Sequence, residues 1–145
     1  MVLSAGDIGY HVQYVNATVS QTNNSSIISE MIQNGNALIN TSEYDKAMTT
    51  FDQVLILDPR SVDALNGKGL VLNNLGKYQE AIYWFDMTLK IDPNFVNALY
   101  NKADALGELG SYEEAFIWTE KALAIDTANQ NTSMSTSTLL PNEIN

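Results

Sequence analysis

The sequence predicts an all-α fold built from consecutive helix pairs, and three observations carry that prediction. Aligned on itself, the middle of the chain repeats with a period of 34 residues. Within a period, two apolar stripes at helical spacing are separated by a short turn. The first two periods close on Asp-Pro, where proline lacks an N–H and drives the residue before it out of helical geometry.

The periods are Ile28 to Ser61, Val62 to Phe95 and Val96 to Asn129. Tyr44, Tyr78 and Tyr112 fall in register, as do Ala47, Ala81 and Ala115, and as do Leu57, Ile91 and Ile125. Asp58, Asp92 and Asp126 follow the last set; Pro59 and Pro93 come next, with Thr127 in the third proline's place. Leu65, Leu72 and Leu75 give the first helix of the middle period its apolar stripe, and Ala81, Phe85 and Leu89 give the second helix its own. Gly76 and Gly110 supply turns between helices. Ser42 with Asp45, and Ser111 with Glu114, have capping-box spacing. Six helices in three antiparallel pairs are therefore expected.

The two ends differ from this pattern. Residues 1–27 form a strand-like arm, because Ile8, Tyr10, Val12 and Tyr14 alternate with smaller or polar residues, and Val15 and Val19 continue the apolar face after a phase slip. Residues 130–145 form a Ser/Thr/Asn-rich tail in which Met134, Thr136, Thr138 and Leu140 also alternate, so the tail is a candidate strand partner for the arm. A lone strand cannot satisfy its own backbone groups, which points to a partner.

Composition excludes several functions. Seventeen acidic against seven basic residues give a net charge of -10, which repels phosphate backbones and anionic lipid heads, so neither nucleic acid nor a membrane is an expected partner. No apolar run is long enough to span a bilayer, and Met1 to Tyr10 lacks a signal peptide's basic start and apolar stretch. The chain is read as either cytoplasmic or a mature form without its leader. With no cysteine and one histidine, His11, no thiol chemistry or clustered metal site is expected. Glu113 and Glu114 are adjacent and face different directions on a helix; the aspartates at the period ends lie a full repeat apart. No catalytic residue, cofactor or metal is expected, and the chain is read as not an enzyme. Five Asn-x-Ser/Thr acceptors, at Asn16, Asn23, Asn24, Asn40 and Asn131, are candidate glycosylation sites or the chance yield of an Asn-rich chain.

The 34-residue period and its fixed tyrosine, alanine and Asp-Pro positions resemble the tetratricopeptide repeat (TPR). Small residues at Gly35, Gly69 and Ala103 match that family's close-packing position, and Phe51 and Phe85 match its second-helix aromatic, which Thr119 replaces. The resemblance implies a right-handed superhelical stack of three helix–turn–helix repeats that serves as a protein-interaction scaffold. Its groove, lined by the first helices, would include Asn36, Asn40, Asn66, Asn73, Tyr100 and Asn101, either contacting an extended peptide or presenting a solvated polar face. Asn36 matches one residue of the family's carboxylate clamp, but Ile32, Asn97 and Asn101 stand at its basic positions, which speaks against an acidic peptide tail.

Trp84 and Trp118 lie 34 residues apart and so share a repeat position. They read as an aromatic stripe on the outer face, or as packing between neighbouring second helices. No capping helix is apparent after the third period, so Phe116, Ala122 and Leu123 are expected to be bare. The leading expectation is a homo-oligomer: chains assembling head to tail, through stack ends and terminal strands, into an extracellular or cell-surface filament. The alternative is an intracellular adaptor that binds an extended peptide in the Asn-lined groove.

Overall fold

The structure, a computed structural model, describes residues 24–137, with side chains described through residue 132. Its described residues form six helices and no strand. Two compact units divide at Pro59 and Arg60. The first contains α1 (24–40) and α2 (Tyr44–Leu57). The second contains α3 (Val62–Asn74), α4 (Tyr78–Ile91), α5 (Val96–Glu108) and α6 (Tyr112–Ser137). The strand expected over Ile8 to Val19 lies outside the described residues.

Each pair of helices is joined by the same backbone device. At the end of α3, Gly76 has φ 73°, its N–H donates to Asn73 O, and the Lys77 N–H donates to Leu72 O. Gly110 has φ 79° and repeats the arrangement after α5, with its N–H on Gly107 O and the Ser111 N–H on Leu106 O. This is the Schellman motif, which satisfies the last free carbonyls of a helix and turns the chain back. After α1 the same two bonds run from Ser42 to Ile39 O and from Glu43 to Leu38 O, with Ser42 at φ 61°.

Ser42 therefore occupies the left-handed turn position and does not cap α2 in a box with Asp45. The N-cap is Glu43, which makes no side-chain capping bond and instead pairs with Lys46 and accepts from the Thr41 hydroxyl. Those contacts hold its carboxyl below the usual range, the Lys46 hydrogen bond contributing most. A side-chain cap does occur at α3, where Ser61 Oγ accepts from the Ala64 N–H at 3.4 Å.

Helix pairs are held by a small residue under an aromatic ring. A methyl group at Gly35 would lie 2.7 Å from Phe51 Cε1, and one at Gly69 would lie 2.4 Å from Phe85 Cε1. Both phenylalanines are fully buried, with Ala47 and Val54 around the first and Leu65, Leu72 and Ala81 in the core of the second unit. Leu89, Ala98, Leu99 and Ala122 extend that core into the α5/α6 pair. Leu75, expected in the apolar stripe, is instead the half-exposed residue after α3.

The chain's C-terminal part differs from expectation. Helices α2 and α4 stop at Leu57 and Ile91, with Asp58 and Asp92 leaving helical geometry before their prolines. At the third site Thr127 has an N–H to give and no ring to clash, so α6 runs on through Ser137. Asp126 is thus inside a helix, accepting from Gln130 Nε2, and does not end one. The hydroxyls that suggested an unordered or strand-like tail are satisfied within the helix: Thr127 donates to Leu123 O and Thr132 to Ala128 O. Met134 and Thr136 lie in this helix, not in a strand. At the other end α1 is already helical at residue 24, ahead of the expected boundary at 28.

A non-glycine residue at φ 61° is strained by its Cβ, and glycine removes the strain. Ser42→Gly is expected to stabilise the protein by about 0.5–1 kcal/mol, read as a higher midpoint in urea unfolding with an unchanged slope.

Candidate interaction surfaces

Helices α3 and α5 place the expected groove residues of the second unit side by side. Asn101 Nδ2 donates to Asn66 Oδ1 at 3.1 Å, and Asn73 Nδ2 donates to Asp104 Oδ2 at 2.7 Å. Tyr78 O–H donates to Glu108 Oε2 at 3.2 Å, and the negative charge of Glu108 pushes the phenol above its usual range. The two amide rungs join α3 to α5 and the Tyr78 bond joins α4 to α5, and each amide in the Asn66–Asn101 rung retains a further polar group. Asn73 Oδ1 is buried and has no protein donor. Tyr100 is 37% exposed between the rungs' helices and solvent. Asn36 and Asn40 are exposed on α1 in the other unit. The charged groups on this face of α3 and α5 are the exposed acids Asp63, Asp104 and Glu108.

The two tryptophans are half-buried, not a free aromatic stripe. Each lies beneath a lysine from the first helix of its own pair: Lys68 Nζ is 3.9 Å from the Trp84 ring centroid and Lys102 Nζ is 3.8 Å from that of Trp118. Such stacking is favourable because the ring face is electronegative. Lys102 also forms an ion pair with Asp86 at 2.6 Å and is itself buried, so it ties α4, α5 and α6 together. The two lysines, like the two tryptophans, lie 34 residues apart, so the pairing is part of the repeat. Trp118 packs on the Leu89, Ala98, Leu99 and Ala122 cluster.

A second surface appears when α6 is compared with α4 position by position. Tyr78 and Ile82 are half-buried and Leu89 is 9% exposed, whereas their register mates Tyr112, Phe116 and Leu123 are 72%, 65% and 51% exposed. Ala122, expected to be bare with them, is fully buried in its own pair's core. On α1 the corresponding incoming face carries a carboxylate: Glu30 is exposed where α3 and α5 bury Ala64 and Ala98 completely, and Ala37 is exposed in the register of the fully buried Val71 and Ala105. Ile117, together with Tyr83 of α4, is exposed as well. The candidate acceptors Asn24, Asn40 and Asn131 are exposed helix residues; Asn16 and Asn23 lie outside the described residues.

Among the described residues there is no group of His, Asp or Glu placed to hold a metal ion, and no helix long and apolar enough to cross a membrane. Removal of the carboxylate beside a buried ammonium leaves an uncompensated charge. Asp86→Ala is expected to cost about 1–3 kcal/mol and to alter Trp118 fluorescence, whereas Glu80→Ala, in the exposed Lys77–Glu80 pair at 3.8 Å, should cost under about 0.5 kcal/mol.

Two family models described as tetratricopeptide repeat match the chain, over residues 32–94 and 84–116. Among solved structures, the second TPR of Spaghetti (RPAP3) bound to HSP90 peptide SRMEEVD superposes with a TM-score of 0.65 at 19% identity, covering 73% of this chain and 97% of that one. The TPR2B domain in the pHsp70 complex of yeast Sti1 gives a TM-score of 0.67 at 23% identity, covering 76% and 88%. MamA gives 0.64 at 24% identity, covering 72% of this chain and 61% of its own. No curated protein matches by sequence. Matched models, helix pairs and repeated turns together place the chain in the tetratricopeptide repeat family.

Proposed function

We propose that the chain is a protein-interaction scaffold that holds an extended segment of a partner protein along the faces of α3 and α5. The carrying observation is the Asn101–Asn66 rung, which presets two amides beside the exposed ring of Tyr100. Asparagine offers a donor and an acceptor, the complement of an extended backbone. Solved TPR domains of Spaghetti and Sti1 hold segments of HSP90 and Hsp70, which supports this use of the fold. Asp63, Asp104 and Glu108 repel acidic tails, so the segment favoured here is neutral or basic.

A second reading is self-association, ending in an extracellular or cell-surface filament assembled head to tail. The exposed row of Tyr112, Phe116 and Leu123 favours self-association. The absence of cysteine, the acidic charge and the sequons accord with an exported protein. The head-to-tail form has an obstacle in Glu30, which would have to enter an apolar joint.

Selection from a displayed peptide library, followed by binding measurements on the selected peptides, tests the first reading. Asn66→Ala with Asn101→Ala is expected to weaken capture at least about tenfold while the sedimentation profile stays the same. No enrichment over background, or unchanged affinity in the double variant, would count against the groove.

A further inference from the structure

The exposed row on α6 belongs to a longer stripe with its own pattern. Tyr112, Phe116, Thr119, Leu123 and Asp126 recur at alternating spacings of four and three residues, the pattern of a helix that packs along another helix. The stripe is apolar over its first part, smallest at Thr119, and polar from Asp126 onward. Thr119 stands in the register of Phe51 and Phe85, so the face is lowest where its sister helices carry a ring. Because α6 continues straight past Ile125, the residues that follow at once do not fold back over the stripe.

From this pattern we infer that α6 is the joint of an isologous dimer, in which the stripe packs antiparallel against the same stripe of a second copy about a two-fold axis near Thr119. About that axis Phe116 meets Leu123 of the other copy, in both directions. Tyr112 then faces the polar end of the stripe at Asp126, where its hydroxyl finds an acceptor. The small Thr119 residues lie on the axis and let the helices approach.

Charge decides between this arrangement and stacking onto α1. An α1 surface placed over the stripe brings Glu30 into the position where α5 keeps Ala98 fully buried, and a carboxylate enters an apolar joint without a cation. In the antiparallel joint the acids Glu113 and Glu120 flank the stripe and stay in water. With their like charges and a net charge of -10 on each copy, repulsion weakens the dimer at low salt. The apolar surface involved is about 400 Å² per copy from the exposed fractions of these side chains, half of what a standard stable interface buries per partner, so the association is weak.

Since the chain has no cysteine, a single introduced one reports on symmetry. On mild oxidation of the full chain, Thr119→Cys is expected to form a covalent dimer at least about tenfold faster than Asn34→Cys does at the same concentration. Sedimentation of the unmodified chain should show a monomer–dimer equilibrium that tightens about three- to tenfold between low and moderate salt. Phe116→Glu, at an exposed position, should weaken it at least about thirtyfold with the helical circular dichroism unchanged. A chain that stays monomeric at millimolar concentration would overturn the inference. So would a Thr119→Cys chain that resists cross-linking while a double variant carrying both Asn34→Cys and Glu120→Cys links into long ladders, which is the head-to-tail outcome. Peptide capture by the α3/α5 face is read separately and is left standing by either failure.

Discussion

The contact between a glycine on the first helix of a pair and a phenylalanine on the second sets the geometry on which the rest depends. With Phe51 and Phe85 fully buried over Gly35 and Gly69, the paired helices approach more closely than any side chain at the glycine position would allow. In the second unit Asn101 of α5 bonds Asn66 of α3, and Lys102 spans from Asp86 of α4 to Trp118 of α6. The third pair relaxes both sides of the contact at once: Ala103 stands for glycine and Thr119 for phenylalanine. The exchange is self-consistent, since a ring at 119 would meet the Ala103 methyl. It also leaves the outgoing face of α6 without the bulk that its sister helices carry.

Both proposed surfaces follow from repetition and from its interruption. Repetition places equivalent polar residues of α3 and α5 side by side, which makes an extended, preset face of amides. Interruption occurs at α6, where a threonine replaces the helix-ending proline and a threonine replaces the aromatic. The apolar row that is largely covered on α4 is exposed on α6. A scaffold whose end differs in this way from its middle has two distinct kinds of contact available in one chain.

Much of the fold was legible because repeats expose their own rules. The helix pairs recur three times at a 34-residue spacing, and the glycine turns, the Gly and Phe positions and the proline stops twice each, so the copies vouch for one another. What was missed departs from the repeat or hides in residue type. Ser42 adopts the conformation of the two register glycines, yet its hydroxyl resembled a cap. Residues 126–137 have the composition of an unordered tail, and only the bonds from Thr127, Gln130 and Thr132 to the preceding turn reveal how such a segment is satisfied as a helix. The tryptophans suggested an outer stripe because periodicity alone does not show which residue lies above a ring. The Lys68 and Lys102 pairing required the structure to be seen. Likewise the charge on the α1 face is carried by the single residue Glu30, in the register of Ala64 and Ala98.

The most direct test of the geometric account is a double-mutant cycle on the third pair, using Ala103→Gly and Thr119→Phe. If the small residue and the ring are one coupled unit, Thr119→Phe alone is strained by the Ala103 methyl and Ala103→Gly alone loses helix propensity. Together they should recover at least about 1 kcal/mol relative to the sum of the two in urea unfolding. Additive effects would contradict the account, because they would mean that the two positions do not share the space that sets the helix spacing.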